Sequence, residues 1–227
     1  MTAECDIHLT SGDWVDLGLP SGLLWATRNV GASSPTDYGN YYAWGETSPK
    51  KVYDWNTYRH CLCNTDNGMC GHNNLTKYCN SSSYGHKGFT DNLTTLQSID
   101  DAATVNYGGR TPTKEEWREL YYNTKSHWVT INGVKGRCFT GHNGNRIFLP
   151  AAGFRRGSSI HDEGCYGRYW SSLLYTDYPD RTWEDIYHEG CPSLAWNFYF
   201  GSDAVNVEDG WNIEYDRDGG FSVRAVR

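Results

Sequence analysis

The run Ala195-Trp196-Asn197-Phe198-Tyr199-Phe200 constrains this chain more than any other segment. Trp196, Phe198 and Phe200 alternate with Asn197, Tyr199 and Gly201. A period of two places the first set on one face of a strand and the second on the other. Three large rings on one face require a core beneath them, so this strand belongs to an antiparallel sheet with a covered inner face. Its outer face is expected to be rich in Tyr and Asn. That is the chemistry of a contact surface, since Tyr offers large area at little rotamer cost and Asn adaptable hydrogen bonds. An ordinary half-buried sheet with polar outward residues fits the same alternation.

At 227 residues, either one large domain or two small ones is allowed. No low-complexity linker divides the chain and no fixed-period repeat runs through it, which favours one domain. Ten Trp and seventeen Tyr exceed what a core of this size needs, and with 25 Gly they point to a loop-rich fold with aromatic contact surfaces. The net charge of −7 and the scattered basic residues argue against a nucleic-acid partner. No apolar run is long enough for a transmembrane helix, so no membrane insertion is expected. The opening Met1-Thr2-Ala3-Glu4-Cys5-Asp6 has neither a basic nor an apolar leader region, so no signal peptide is expected.

Local signals fix several elements. Residues 13 to 31 read as two short strands around a Pro20-Ser21-Gly22 turn. Tyr41 to Gly45 reads as a short strand or buried turn, and 61 to 92 as a long polar loop. A first helix is expected around Leu96 to Ala103. A second opens at Thr113-Lys114-Glu115-Glu116, a capping box, and carries Trp117, Leu120 and Tyr121 on one stripe until about Asn123. Strands follow at Trp128 to Ile131 and Arg146 to Pro150, with Asn132-Gly133 and Asn143-Gly144 as turns. The fold class is α+β, with two helices, many short antiparallel strands and long loops.

Several segments together resemble a known family. Val15 to Gly22, Leu24-Trp25-Ala26-Thr27, Asn29 to Ala32 and Tyr42-Ala43-Trp44-Gly45-Glu46 are similar to the opening of a paralogous domain abundant in gut bacteria and their phages. Thr111 to Trp117 and Ile147 to Gly153 resemble its middle; Tyr169-Trp170-Ser171-Ser172 and Gly220 to Arg224 resemble its end. The family is a C-type lectin fold of the formylglycine-generating-enzyme type, and many members resemble the variable proteins of diversity-generating retroelements. The resemblance implies that Gly220 to Val226 pairs near residues 13 to 30, so that the N- and C-terminal strands meet. It also implies a scaffold over residues 1–166 and a variable ligand-binding region over 167–227. The implied partner is a protein or glycan on a cell or virion surface, and the implied location a phage virion or bacterial cell surface; an oligomer is allowed.

The expected binding residues are Trp183, Glu184, Asp185, Tyr187, Asn197, Tyr199, Asn206, Glu208, Trp211, Asn212, Glu214, Tyr215 and Asp216, with Tyr199, Trp211 and Tyr215 clustered on one accessible patch. Ala195, Trp196, Phe198, Phe200, Val205 and Val207 read as their fixed frame. The segment Thr182 to Leu194 is longer than the family's usual connection, and a bridge from Cys191 to Cys165 could clamp it.

Other chemistry fits the sequence less well. His60, Cys61, Cys63, Cys70, His72 and Cys79 are thiols and imidazoles at crowded spacing, but paired CxxC knuckles are missing, so local bridges or free thiols are the plainer expectation. The resemblance brings in enzyme relatives that use a copper-binding cysteine pair. Cys165 and Cys191 stand in different sequence surroundings, so no catalytic residue and no cofactor is expected. Asp177, Asp180, Glu184, Asp185, Asp216 and Asp218 offer calcium-type oxygens without the triplet that sugar-binding lectins use, and read as a solvated acidic face.

Overall fold

The structure is a computed structural model that describes residues 13–62, 73–176, 191–206 and 214–227. It is α+β, with two α-helices and small antiparallel sheets. Strands β1 (Trp14–Asp16) and β2 (Leu24–Ala26) form the expected hairpin across Pro20-Ser21-Gly22. The chain's end docks on it. Trp25 bridges Val226, Leu24 N–H donates to the Arg227 carbonyl at 2.9 Å, and Ala26 N–H donates to the Ala225 carbonyl at 2.9 Å. The two ends of the described chain are thereby zipped together, as expected.

The first helix begins later than its sequence signal. A 3-10 turn covers Ser98–Asp100, and α1 runs Ala102–Tyr107. Asp101 sets the start: its carboxylate accepts from Ala103 N–H at 2.9 Å and from the Thr111 hydroxyl and N–H at 2.6 and 2.8 Å. A carboxylate that accepts from the first turn of the helix and from Thr111 at once favours the cap position over the interior. Helix α2 (Lys114–Tyr122) carries the capping box in full, Thr113 accepting from Glu116 N–H while Glu116 reaches back to Thr113 N–H.

β3 (Lys125–Ile131), β4 (Val134–Thr140) and β5 (Arg146–Pro150) form a three-stranded antiparallel sheet. Asn132 and Gly133 both take positive φ, 50° and 81°, the turn that matches strand twist. β6 (Phe154–Arg156) and β7 (Ser159–His161) make a small hairpin. The last sheet joins β8 (Gly167–Leu174), β9 (Leu194–Phe200), β10 (Val205–Asn206) and β11 (Glu214–Asp216), with β9 between β8 on one side and β10 and β11 on the other.

β9 differs from its expected half-buried state. From Ala195 to Phe200 every residue is buried, Asn197 and Tyr199 included. On one face, Trp117 of α2 stacks on Phe198 at 4.6 Å and the ring of Phe200 packs with Phe139 and Tyr169. On the other, Tyr199 stacks on Tyr166 at 5.2 Å, and the neighbouring Tyr215 packs against Phe154 and Phe221. The second layer is supplied by β6 and by the C-terminal stretch, neither of which is adjacent in sequence to β9. Gly167 makes the close approach possible, since a Cβ there would stand 2.2 Å from the Phe200 ring.

Candidate functional site

The C-terminal sheet is held by two wholly buried arginines. Arg217 follows β11 and donates to the Tyr58 hydroxyl and to the carbonyls of Lys77, Tyr78 and Pro192 at 2.7–3.1 Å. Arg224 donates twice to Asn29 Oδ1 and to the carbonyls of Ala26 and Phe148. Each guanidinium spends its fork of donors on fixed acceptors, so it acts as a rivet between segments far apart in sequence.

Arg168 of β8 sits opposite Tyr199 and is surrounded by rings, 4.6 Å from Tyr199, 5.3 Å from Phe154, 5.4 Å from Tyr215 and 5.7 Å from Phe221. These are cation–π distances in a buried setting, where the attraction is stronger than at a surface. Burial, and then the phenol of Tyr166, push the Tyr199 hydroxyl up to about 12, so it stays a neutral hydroxyl. Arg168, Arg217 and Arg224 gave little sequence signal, because arginine is by default a surface residue. The alternation of Gly167-Arg168-Tyr169-Trp170 was the available hint to Arg168.

The expected binding residues divide. Asn197 and Tyr199 are buried, and Tyr215 is half-buried among Phe154 and Phe221, so these three do not form an accessible patch. The reason is the second covering layer over β9. Asn206 and Asp216 are half-buried at the ends of β10 and β11, and Glu214 pairs with Trp196 through the backbone. Trp183, Glu184, Asp185, Tyr187, Glu208, Trp211 and Asn212 lie outside the described residues, as does Val207 of the expected frame.

A shallow crevice, open to solvent on one side, lies where α2 meets this sheet, lined by Lys114, Trp117, Ser171, Trp196, Asn197, Phe198 and Asn206. The Lys114 ammonium rests 3.4 Å above the Trp196 ring, and Tyr175 packs edge-on to that ring at 4.4 Å. Neither amide atom of Asn197 finds a hydrogen-bond partner among the described residues, although the side chain is 5% exposed. A buried amide with neither end satisfied by protein is costly.

The cysteines do not clamp the segment between β8 and β9: Cys165 and Cys191 are both free thiols, Cys165 exposed and Cys191 buried against the Ser193 hydroxyl at 2.7 Å. Cys79 is also a free thiol, and burial pushes the thiols of Cys61 and Cys79 above their ordinary range. Of the weighed zinc set, His60 donates to the Gly45 carbonyl at 2.8 Å, while Cys63, Cys70 and His72 lie outside the described residues. Among the described residues no three His, Cys, Asp or Glu side chains converge on a metal position. Asp177, Asp180, Glu184 and Asp185 of the acidic set also lie outside them. Asp218 is buried, which with the nearby Asp216 carboxylate raises it to about 7.

No protein-family model, no curated protein and no solved structure matches this chain.

Proposed function

We propose that the chain is a ligand-recognition domain of C-type lectin type, with no catalytic centre, whose binding face is carried by the connections of its C-terminal sheet. One observation carries this reading: the connections from Thr176 to Cys191 and from Asn206 to Glu214 both leave and rejoin a single sheet whose described backbone is fixed by buried rings and by Arg217. Such an arrangement separates the two demands on a variable binder. The frame takes the packing energy, and substitutions in the connections change contacts without changing the fold. The small antiparallel sheets, the two helices and the pairing of Leu24–Ala26 with Ala225–Arg227 support the lectin-type fold. The proposed binding face excludes Asn197, Tyr199 and Tyr215 and rests on Trp183, Glu184, Asp185, Tyr187, Asn206, Glu208, Trp211, Asn212, Glu214 and Asp216. The partner is a protein or glycan on another cell or virion.

Sequencing the gene from independent isolates tests diversification. Amino-acid differences should concentrate at those positions and follow adenines of a nearby template repeat beside a reverse transcriptase, while Trp170, Trp196, Phe198, Arg217 and Arg224 stay constant. Differences spread evenly over the chain would leave a non-diversified surface domain of the same fold. At the protein level, replacing Trp183, Tyr187, Trp211 and Asn212 together with Ser should move the thermal midpoint by only about 2 °C. A cooperative loss of structure in that variant would overturn the display reading.

A further inference from the structure

The turn that leaves β11 carries two carboxylates, Asp216 and Asp218, on either side of Arg217, and Gly219 N–H closes it on the Asp216 carbonyl at 3.0 Å. Arg217 turns inward and gives its guanidinium to Tyr58, Lys77, Tyr78 and Pro192. Nothing comparable holds Asp218. It is only 9% exposed, yet among the described residues no side chain donates a hydrogen bond to its carboxylate or forms an ion pair with it. The cations that face it are committed elsewhere. Lys50 donates to Glu46 at 2.9 Å and to the Thr57 carbonyl at 3.1 Å, and Arg156 of β6 lies against the Tyr215 hydroxyl. The other titratable groups around it are the Asp216 carboxylate, the Tyr58 phenol and the Cys61 thiol.

We infer that this turn is a subsite for a guanidinium side chain of a protein partner, bound between Asp218 and Asp216. The inference deepens the recognition role proposed above and rests on it: Asp216 already belongs to the proposed face, and Asp218 extends that face past β11. A buried carboxylate with no partner of its own costs stability. A guanidinium from outside supplies what is missing, since its planar fork presents parallel N–H donors to carboxylate oxygens. A neutral sugar or amide would leave the charge uncompensated. A divalent ion needs more oxygens than one turn brings together, and among the described residues no three Asp, Glu, His or Cys side chains converge on one. Protonation sets the affinity. Burial first, and then the Asp216 carboxylate, raise Asp218 to about 7, so its carboxyl is mostly neutral at about pH 5.5 and mostly ionised at about pH 8. Binding of a cation therefore strengthens as pH rises through that window.

The test is a titration of the full, carbon-13-labelled chain with N-acetylargininamide, followed by NMR at the side-chain carboxyls of Asp216 and Asp218. N-acetylcitrullinamide, which replaces the guanidinium by a neutral urea of nearly the same shape, and calcium chloride run in parallel. At about pH 8 a saturable shift with the arginine derivative alone is expected. Its affinity should fall about tenfold or more at about pH 5.5, and by a similar factor in Asp218→Asn read at Asp216. The site is overturned if the arginine derivative gives no saturable shift at about pH 8, if the citrulline derivative or calcium gives an equal shift, or if Asp218→Asn binds as well as the parent. Should Asp218→Asn unfold, the pH comparison in the parent decides alone, and equal affinity at the two pH values overturns the site. A failed titration beside gene differences concentrated in the connections would remove this subsite and leave the display reading standing.

Discussion

At the scale of single residues, the interior holds charge and titratable groups in an arrangement that ordinary burial rules would not anticipate. Arg217 and Arg224 are wholly buried and surrounded by carbonyls and side-chain oxygens that accept from their guanidinium groups. His60 and Asp218 are different. Burial first lowers His60 to about 4, so the folded state keeps it neutral. Between its ordinary 6.5 and about 4 the unfolded chain binds more protons, and stability is lost as pH falls through that window. Burial first raises Asp218 to about 7 from 3.8, so there the folded state binds the extra proton, and stability declines as pH rises across that window. The two slopes oppose each other over most of the range. Asp218→Asn removes one of them. In urea titrations at a series of pH values, the variant should match the parent near pH 4, gain stability steadily to about pH 6.5, and exceed the parent by about 4 kcal/mol above pH 7. A variant whose stability tracks the parent at every pH would show that Asp218 is an ordinary ionised carboxylate.

At the scale of elements, β9 is a central strand covered on both faces, and two tryptophans, Trp196 within it and Trp170 on the neighbouring β8, should respond unequally to truncation. Trp170 lies directly opposite Asn197, stacks on Phe221 at 4.0 Å and donates its indole N–H to the Tyr42 carbonyl at 2.8 Å. Trp196 belongs to a smaller cluster with Tyr175. Trp170→Ala should cost about 5 kcal/mol and Trp196→Ala about 3 kcal/mol in chemical denaturation, and the reverse order would contradict this packing. What was legible in the sequence follows from the range of each interaction. The capping box of α2 spans four residues and the Asn132-Gly133 turn two, so both could be read directly. The inward face of β9 was also readable, because Trp196, Phe198 and Phe200 are unmistakably apolar. Its second covered face was not. Tyr199 and Tyr215 look solvent-facing until Tyr166 and Phe154 are folded against them, and those contacts join segments tens of residues apart. α1 starts later than its sequence signal for a related reason, since Asp101 is committed to Thr111 ten residues on. The unsatisfied amide of Asn197 is legible only once three strands have been placed around it.

At the scale of the whole molecule, the C-terminal stretch is a seam rather than a tail. Val223, Ala225 and Arg227 offer their carbonyls to Val30, Ala26 and Leu24, while Phe221 bonds in both directions with Tyr42. Phe221, Val223, Ala225 and Val226 are all buried. Deleting residues 221–227 should therefore abolish cooperative unfolding rather than fray one end, as read by loss of the thermal transition. A shortened chain that still melts sharply would mean that the remaining sheets fold as independent units. The same long-range construction leaves an optical signature. The indoles of Trp25 and Trp117 stand 4.9 Å apart at a 57° tilt, one from the opening hairpin and one from α2, and Trp117 lies flat on Phe198 of the last sheet. Their electronic transitions are coupled only while hairpin, helix and sheet are all in register, so the near-ultraviolet dichroism of this single trio is a built-in gauge of native assembly, legible without any label.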